Sequence, residues 1–209
     1  KEVASTQNYD FTDVDHSPDG TAIASSDENG YLRLWNATTG TNFQSVNVGG
    51  ELSSVSWSGD GRFVGVTKND DSAHVYYANN LSSVHGRISA DVGGGDYPYD
   101  IDLSPDGEMA AIAIGRSGNG GTNGVVRMIN MTDGSVIQNL NPGGEDRFYS
   151  VEFSPTGSHL LIGSNNDFYV VETSSWSTVR SESSPNGAVN SVDWSHDGKH
   201  MAICEGWDG

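Results

Sequence analysis

The chain has 209 residues, 34% of them hydrophobic and 27 of them glycine, a composition that argues against long buried helices and for a loop-rich fold of one large domain or two small ones. Ten Lys and Arg against 28 Asp and Glu give a formal net charge of -18, and such a surface repels phosphate backbones and anionic headgroups, so nucleic acid and membrane are poor partners. No run approaches the roughly eighteen apolar residues of a membrane span, and no basic-then-apolar leader follows Lys1. The few lysines (Lys1, Lys68 and Lys199) and the excess of Asp resemble the acidic surfaces of salt-adapted or marine-secreted proteins, so an extracellular or cell-surface place is favoured over the cytoplasm of a salt-adapted organism.

Self-similarity organises the chain. Five times an alternating apolar-polar stretch runs into a turn: at Ser17-Pro18-Asp19-Gly20, Ser58-Gly59-Asp60-Gly61, Ser104-Pro105-Asp106-Gly107, Ser154-Pro155-Thr156-Gly157 and Ser195-His196-Asp197-Gly198. Proline presets such a turn and glycine accepts its positive φ, so each copy predicts a hairpin. In chain order, residues 2–6 read as the last strand of a preceding unit. The repeat 11–48 then adds strands over 22–25, 32–35 and 43–48, and the repeat 52–88 adds 63–66, 74–77 and 84–88. Repeat 99–140 supplies 109–114, 125–129 and 136–140, repeat 149–182 supplies 160–163, 168–171 and 178–181, and repeat 189–209 supplies one further strand over 201–204. Four short antiparallel strands every 40 to 50 residues make a propeller blade. The predicted fold is all-β, a β-propeller of four full four-stranded blades plus a partial fifth. Residues 1–209 then form a single propeller domain or a propeller fragment, and one strand short of a five-bladed closure favours a piece of a longer protein.

Trp35-Asn36-Ala37-Thr38-Thr39-Gly40 and Ile129-Asn130-Met131-Thr132-Asp133-Gly134 end the third strands of two repeats at the same spacing. With the recurring turns, they make the whole chain resemble the WD-repeat (WD40-like) β-propellers, in the prokaryotic form with Ser-Pro-Asp-Gly turns. That resemblance implies a rigid, non-catalytic scaffold for protein partners.

Candidate sites divide by position in the repeat. Asp15, Asp102, Glu152 and Asp193 share one position on the first strands, with Ser56 breaking the series. First strands line a propeller's channel, so these acids could ring a cation, or each could accept hydrogen bonds within or between blades. Sequons begin at Asn36, Asn80 and Asn130, either glycosylation acceptors or residues chosen for turn geometry. The irregular loops 91–99, 115–124 and 141–148 belong to adjacent blades and emerge on one face. They gather Tyr97, Tyr99, Arg116, Arg147, Phe148 and Tyr149, aromatic and Arg anchors of the kind that carry interfaces, unless the tyrosines pack between blades and the arginines neutralise nearby Asp.

The remaining residues carry little chemistry. Of the six histidines (His16, His74, His85, His159, His196 and His200), His16 takes the slot of Trp57, Leu103, Phe153 and Trp194 and reads as a packed core residue. The single cysteine, Cys204, excludes a disulfide framework and reads as a small buried residue. The Gly-rich 115–124 lacks the Lys-Ser/Thr and helix of a phosphate loop, and no nucleophile-base or His-Glu-x-x-His pattern occurs. No cofactor is expected. The sequence thus points to a protein-interaction scaffold. Its alternatives are a hydrolase- or lactonase-like propeller enzyme with its site over the channel, and a structural protein that self-assembles into homo-oligomers through open blade edges.

Overall fold

The computed structural model describes residues 10–91, 96–116 and 124–206, and side chains throughout these except Asp96 and Arg116. The strand expected over 2–6, the residues Trp207, Asp208 and Gly209, and the middles of loops 91–99 and 115–124 lie outside them.

Blade 1 is β1 (Phe11–His16), β2 (Ala22–Asp27), β3 (Tyr31–Asn36) and β4 (Asn42–Asn47). Blade 2 is β5 (Leu52–Trp57), β6 (Phe63–Lys68), β7 (Ser72–Tyr77) and β8 (Ser83–Ser89); blade 3 is β9 (Asp96–Leu103), β10 (Met109–Arg116), β11 (Val125–Asn130) and β12 (Val136–Leu140). Blade 4 is β13 (Phe148–Phe153), β14 (His159–Ser164), β15 (Asp167–Glu172) and β16 (Ser177–Ser183), and β17 (Ala188–Trp194) pairs with β18 (Met201–Gly206) as the start of a fifth. Every sheet is an antiparallel meander in sequence order. A short 3-10 turn over Pro142–Gly144 in the loop before β13 is the one departure among the described residues, absent from the sequence expectation.

The turns fold as their residues demand. In the first, Ser17 Oγ donates to Asp19 Oδ1 at 2.7 Å and accepts from Ala22 N–H at 2.9 Å, Asp19 accepts from Thr21 N–H at 2.9 Å, and Gly20 sits at φ 69°. The Ser58/Asp60, Ser104/Asp106 and Ser195/Asp197 turns repeat the pattern. A side-chain acceptor two residues from its donor closes these four turns locally, and in the fifth the Ser154 and Thr156 hydroxyls lie 3.4 Å apart.

First strands pack on first strands: β1 on β5, β5 on β9, β9 on β13 and β13 on β17. They form the innermost arc, and the core lies between blades rather than within them. Ala24, Leu32 and Leu34 of blade 1 meet Leu52, Val55, Val64 and Val66 of blade 2. Equivalent apolar layers join blades 2 and 3, 3 and 4, and 4 and the fifth unit. This is β-propeller architecture, as the repeat predicts. β16, on the outer rim, is exposed along its whole length.

Two burial expectations are corrected at the ends of the arc. His16 is exposed, and so is Cys204. Burial of an inner-strand slot comes from the neighbouring blade, and among the described residues nothing packs on β1 as β1 packs on β5.

Candidate functional site

A bulge recurs where each first strand pairs with the second. Between Phe11 and Asp13, Leu52 and Ser54, Phe148 and Ser150, and Val189 and Ser191 one residue is left over, and in blade 3 the pairs Asp100 with Ala113 and Pro98 with Ile114 leave out Tyr99. A bulge re-aims its extra side chain and bends the strand. In blades 3 and 4 the extra residues are Tyr99 and Tyr149, and their rings meet edge to face at 5.1 Å between centroids. Arg147 Nη1 reaches the Tyr149 hydroxyl at 3.5 Å. Gly115 is part of the same cluster: a Cβ there would lie 2.6 Å from the Tyr99 ring and 3.0 Å from Arg147 Cβ. Tyr97 stands at the start of β9 with 39% of its surface exposed.

The structure therefore brings Tyr97, Tyr99, Arg147 and Tyr149 to the ends of two adjacent inner strands. The Arg116 side chain lies outside the described residues. Phe148 is corrected: it is wholly buried in the layer between blades 3 and 4, against Ala113, Val126 and Val151 among others, because the bulge at Tyr149 leaves it facing the core. It is a core residue and not an anchor.

The inner carboxylates act below this rim. Asp15 Oδ2 accepts from Trp57 N–H at 2.6 Å, Asp102 Oδ2 from Phe153 N–H at 2.7 Å, and Glu152 Oε2 from Trp194 N–H at 3.1 Å, each in the following blade. Asp102 Oδ1 also accepts from Ser56 Oγ of the preceding blade at 2.8 Å. A second rung lies two residues earlier, on the same face of the strand. Asp13 accepts from Val55 N–H at 2.9 Å, and Asp100 accepts from Ser54 Oγ at 2.7 Å and from Val151 N–H at 3.0 Å. The sequence reading missed Asp13 and Asp100, although alternation alone places them beside Asp15 and Asp102.

Burial dominates the electrostatics here. It pushes Asp100 up to about 6, and Asp102 to about 7 with help from the charges of Asp100 and Asp15. Burial together with the Asp102 and Asp193 carboxylates lifts Glu152 to about 9, and burial also raises Asp15. A carboxyl kept partly protonated still accepts the backbone N–H and can donate its own proton, so the rungs hold in both states. Among the described residues no group of three or more His, Cys, Asp or Glu is placed to hold a metal ion. The cation reading of Asp15, Asp102, Glu152 and Asp193 gives way to stapling, since Asp15, Asp102 and Glu152 each bond to a following blade.

The sequon asparagines make turns. Asn36 Oδ1 accepts from Thr38 and Thr39 N–H at 3.0 and 2.8 Å, Asn80 Oδ1 from Ser82 N–H at 2.8 Å, and Asn130 Oδ1 from Thr132 N–H at 2.8 Å. Asn80 is exposed, while Asn36 and Asn130 are half-buried.

Comparison with known proteins adds the following. No curated protein sequence matches the chain. Among solved structures it is similar to hydrazine synthase of Kuenenia stuttgartiensis, with 21% identity and a TM-score of 0.79 over 97% of this chain and 57% of that one. It is also similar to the Cps50 (Swd1) β-propeller domain of Myceliophteria thermophila, with 13% identity and a TM-score of 0.79 over 96% of this chain and 65% of that one. The chain thus spans less than two thirds of these structures, and at such identity the likeness shows the fold alone. The model of DUF5711, a family of unknown function, matches residues 2–204, and the chain belongs to that family.

Proposed function

We propose that the chain is a non-catalytic binding module of WD-repeat type that takes a protein partner on the face carrying Tyr97, Tyr99, Arg147 and Tyr149. The carrying observation is the bulge-borne Tyr99–Tyr149 pair with Arg147 against it and an exposed Tyr97 beside it, on two adjacent blades. Tyr and Arg bury large area and dominate measured interface energies, and here the three tyrosines stand on β9 and β13 with Arg147 one residue before β13.

The test is affinity capture from cells with the wild-type chain and with a Tyr97→Ala, Arg147→Ala chain, both checked for folding. Each truncation of an anchor lowers affinity by about tenfold, and the double variant loses the bound protein. A wild-type chain that retains nothing beyond what the double variant retains overturns the reading.

A further inference from the structure

The turns that end the first strands stand side by side along the arc: a Cβ on Gly61 would lie 3.5 Å from Pro18 of the preceding blade, and one on Gly107 would lie 2.6 Å from Asp60. Two residues after the turn aspartates Asp19, Asp60, Asp106 and Asp197, the repeat places Thr21, Arg62, Glu108 and Lys199. In blade 2 that residue reaches across its junction. Arg62 Nε donates to Asp60 Oδ2, Arg62 Nη2 donates to the Asp106 carbonyl of blade 3 at 2.9 Å, and the guanidinium carbon stands 4.9 Å from the centre of the Phe63 ring. In the fifth unit Lys199 Nζ likewise donates to Asp197 Oδ2 at 3.1 Å.

Blade 1 keeps the carboxylate and lacks the cation. The Ser17 hydroxyl, the Thr21 N–H and the Thr21 hydroxyl all donate to Asp19 Oδ1, at 2.7, 2.9 and 2.8 Å. Asp19 Oδ2, the counterpart of the oxygen that takes Arg62 or Lys199, receives no donor among the described residues. Where Arg62 lies between blades 2 and 3, a cavity of about 370 Å³ opens between blades 1 and 2, walled by Asp19, Thr21, Phe43, Trp57, Asp60 and Asn79 among others. Both blades at this junction are four-stranded and fully described. Ala22 takes the place of Phe63 here, and aromatic faces come instead from Phe43 and Trp57, where the next junction has Val84 and Leu103. Phe43 is 54% exposed, and the buried indole N–H of Trp57 has no acceptor.

We infer that this groove takes an arginine side chain presented by a basic segment of a partner protein, seated between blades 1 and 2 as Arg62 is seated between blades 2 and 3. The guanidinium pairs with Asp19 Oδ2 and the Asp60 carbonyl and lies against Phe43 and Trp57, since a planar cation both forks onto oxygen acceptors and stacks on rings. The net charge of -18 draws such a segment in. The site stands at the ends of the first strands, whereas Tyr97 and Arg147 stand at their starts, so it is independent of the binding face proposed above.

The experiment is NMR of the isotope-labelled chain at physiological ionic strength, titrated with the capped tripeptide Gly-Arg-Gly and with its citrulline counterpart, which keeps the shape without the charge. The expected result is a saturable shift of the Trp57 indole N–H and of the Thr21 and Asn79 amides, with the citrulline peptide about tenfold weaker or more. Asp19→Asn and Phe43→Ala, both at exposed positions, each weaken binding by about tenfold. Glu28→Gln, the same change of charge in the β2–β3 turn, leaves it unchanged. Thr21→Arg, which seats the chain's own guanidinium on Asp19, abolishes it in a folded chain. A titration without saturable shifts at these groups overturns the inference. So do shifts spread over the acidic surface that Asp19→Asn and Glu28→Gln reduce alike, which would be charge attraction without a site.

Discussion

Asp19, in the β1–β2 turn of blade 1, and Asp102, on the first strand of blade 3, do nearly the same local chemistry. Asp19 accepts from Thr21 N–H at 2.9 Å in the turn, and Asp102 accepts from Phe153 N–H at 2.7 Å on the inner strand. Their acidities move in opposite directions. The Ser17 hydroxyl and the Thr21 N–H hold Asp19 below the ordinary carboxylate range, and Ser195 and Lys199 do the same for Asp197. Burial overrides equivalent hydrogen bonds at Asp102 and lifts it to about 7. A hydrogen bond to the charged form lowers the pKa at both sites, but between blades the desolvation cost is larger and sets the sign. The repeat therefore uses one residue type twice, as a solvated turn cap and as a buried staple.

The largest break in this comparison is Asp102→Ala, which leaves Phe153 N–H and Ser56 Oγ without their acceptor between blades. It lowers stability by about 1–3 kcal/mol, read as a drop in the urea midpoint. Next comes pH. A carboxyl whose pKa is raised in the fold contributes stability that is complete below the ordinary carboxylate range and is lost as pH rises through the folded value, about 7 for Asp102 and about 9 for Glu152. The turn aspartates act in the other direction: their contribution is complete at neutral pH and is lost only on strong acidification. The midpoint is therefore highest in mild acid and declines toward alkaline pH. Asp102→Asn keeps an acceptor for Phe153 N–H and a donor for Ser56, so it is near neutral in mild acid and more stable than wild type in alkali. The smallest effect is Asp19→Ala, a slight drop in the urea midpoint with no flattening of the alkaline decline.

Most of the fold was legible because each repeat carries its own punctuation. Ser17 to Gly20 and its four copies mark the same hairpin, and every strand expected among the described residues is present, usually extended by one or two residues at its ends. What escaped was whatever depends on a neighbouring blade. His16 sits in a slot that is apolar elsewhere, and Cys204 in one that buries Ser26, Thr67 and Ala113 elsewhere, yet their exposure is decided by what lies across the junction, a non-local fact no motif records. Phe148 and Tyr149 are adjacent and both aromatic, and only the bulge sends one into the core and the other to the rim. The acids at 15, 102 and 152 were visible as a series, but alternation had already placed Asp13 and Asp100 on the same face. A series with two rungs per junction reads as stapling more readily than as a single ring of ligands.

The most direct test is a set of urea midpoints for the wild type and Asp102→Asn between about pH 5 and pH 9, the window spanned by the raised carboxyls. If the inner carboxyls are buried staples held partly protonated, the wild-type midpoint falls across this range, the variant falls less, and the variant is the more stable of the two at the alkaline end. A wild-type midpoint that stays level or rises, with the variant tracking it, would mean that these carboxylates are solvated or charge-compensated and that the blades are not joined in the way described.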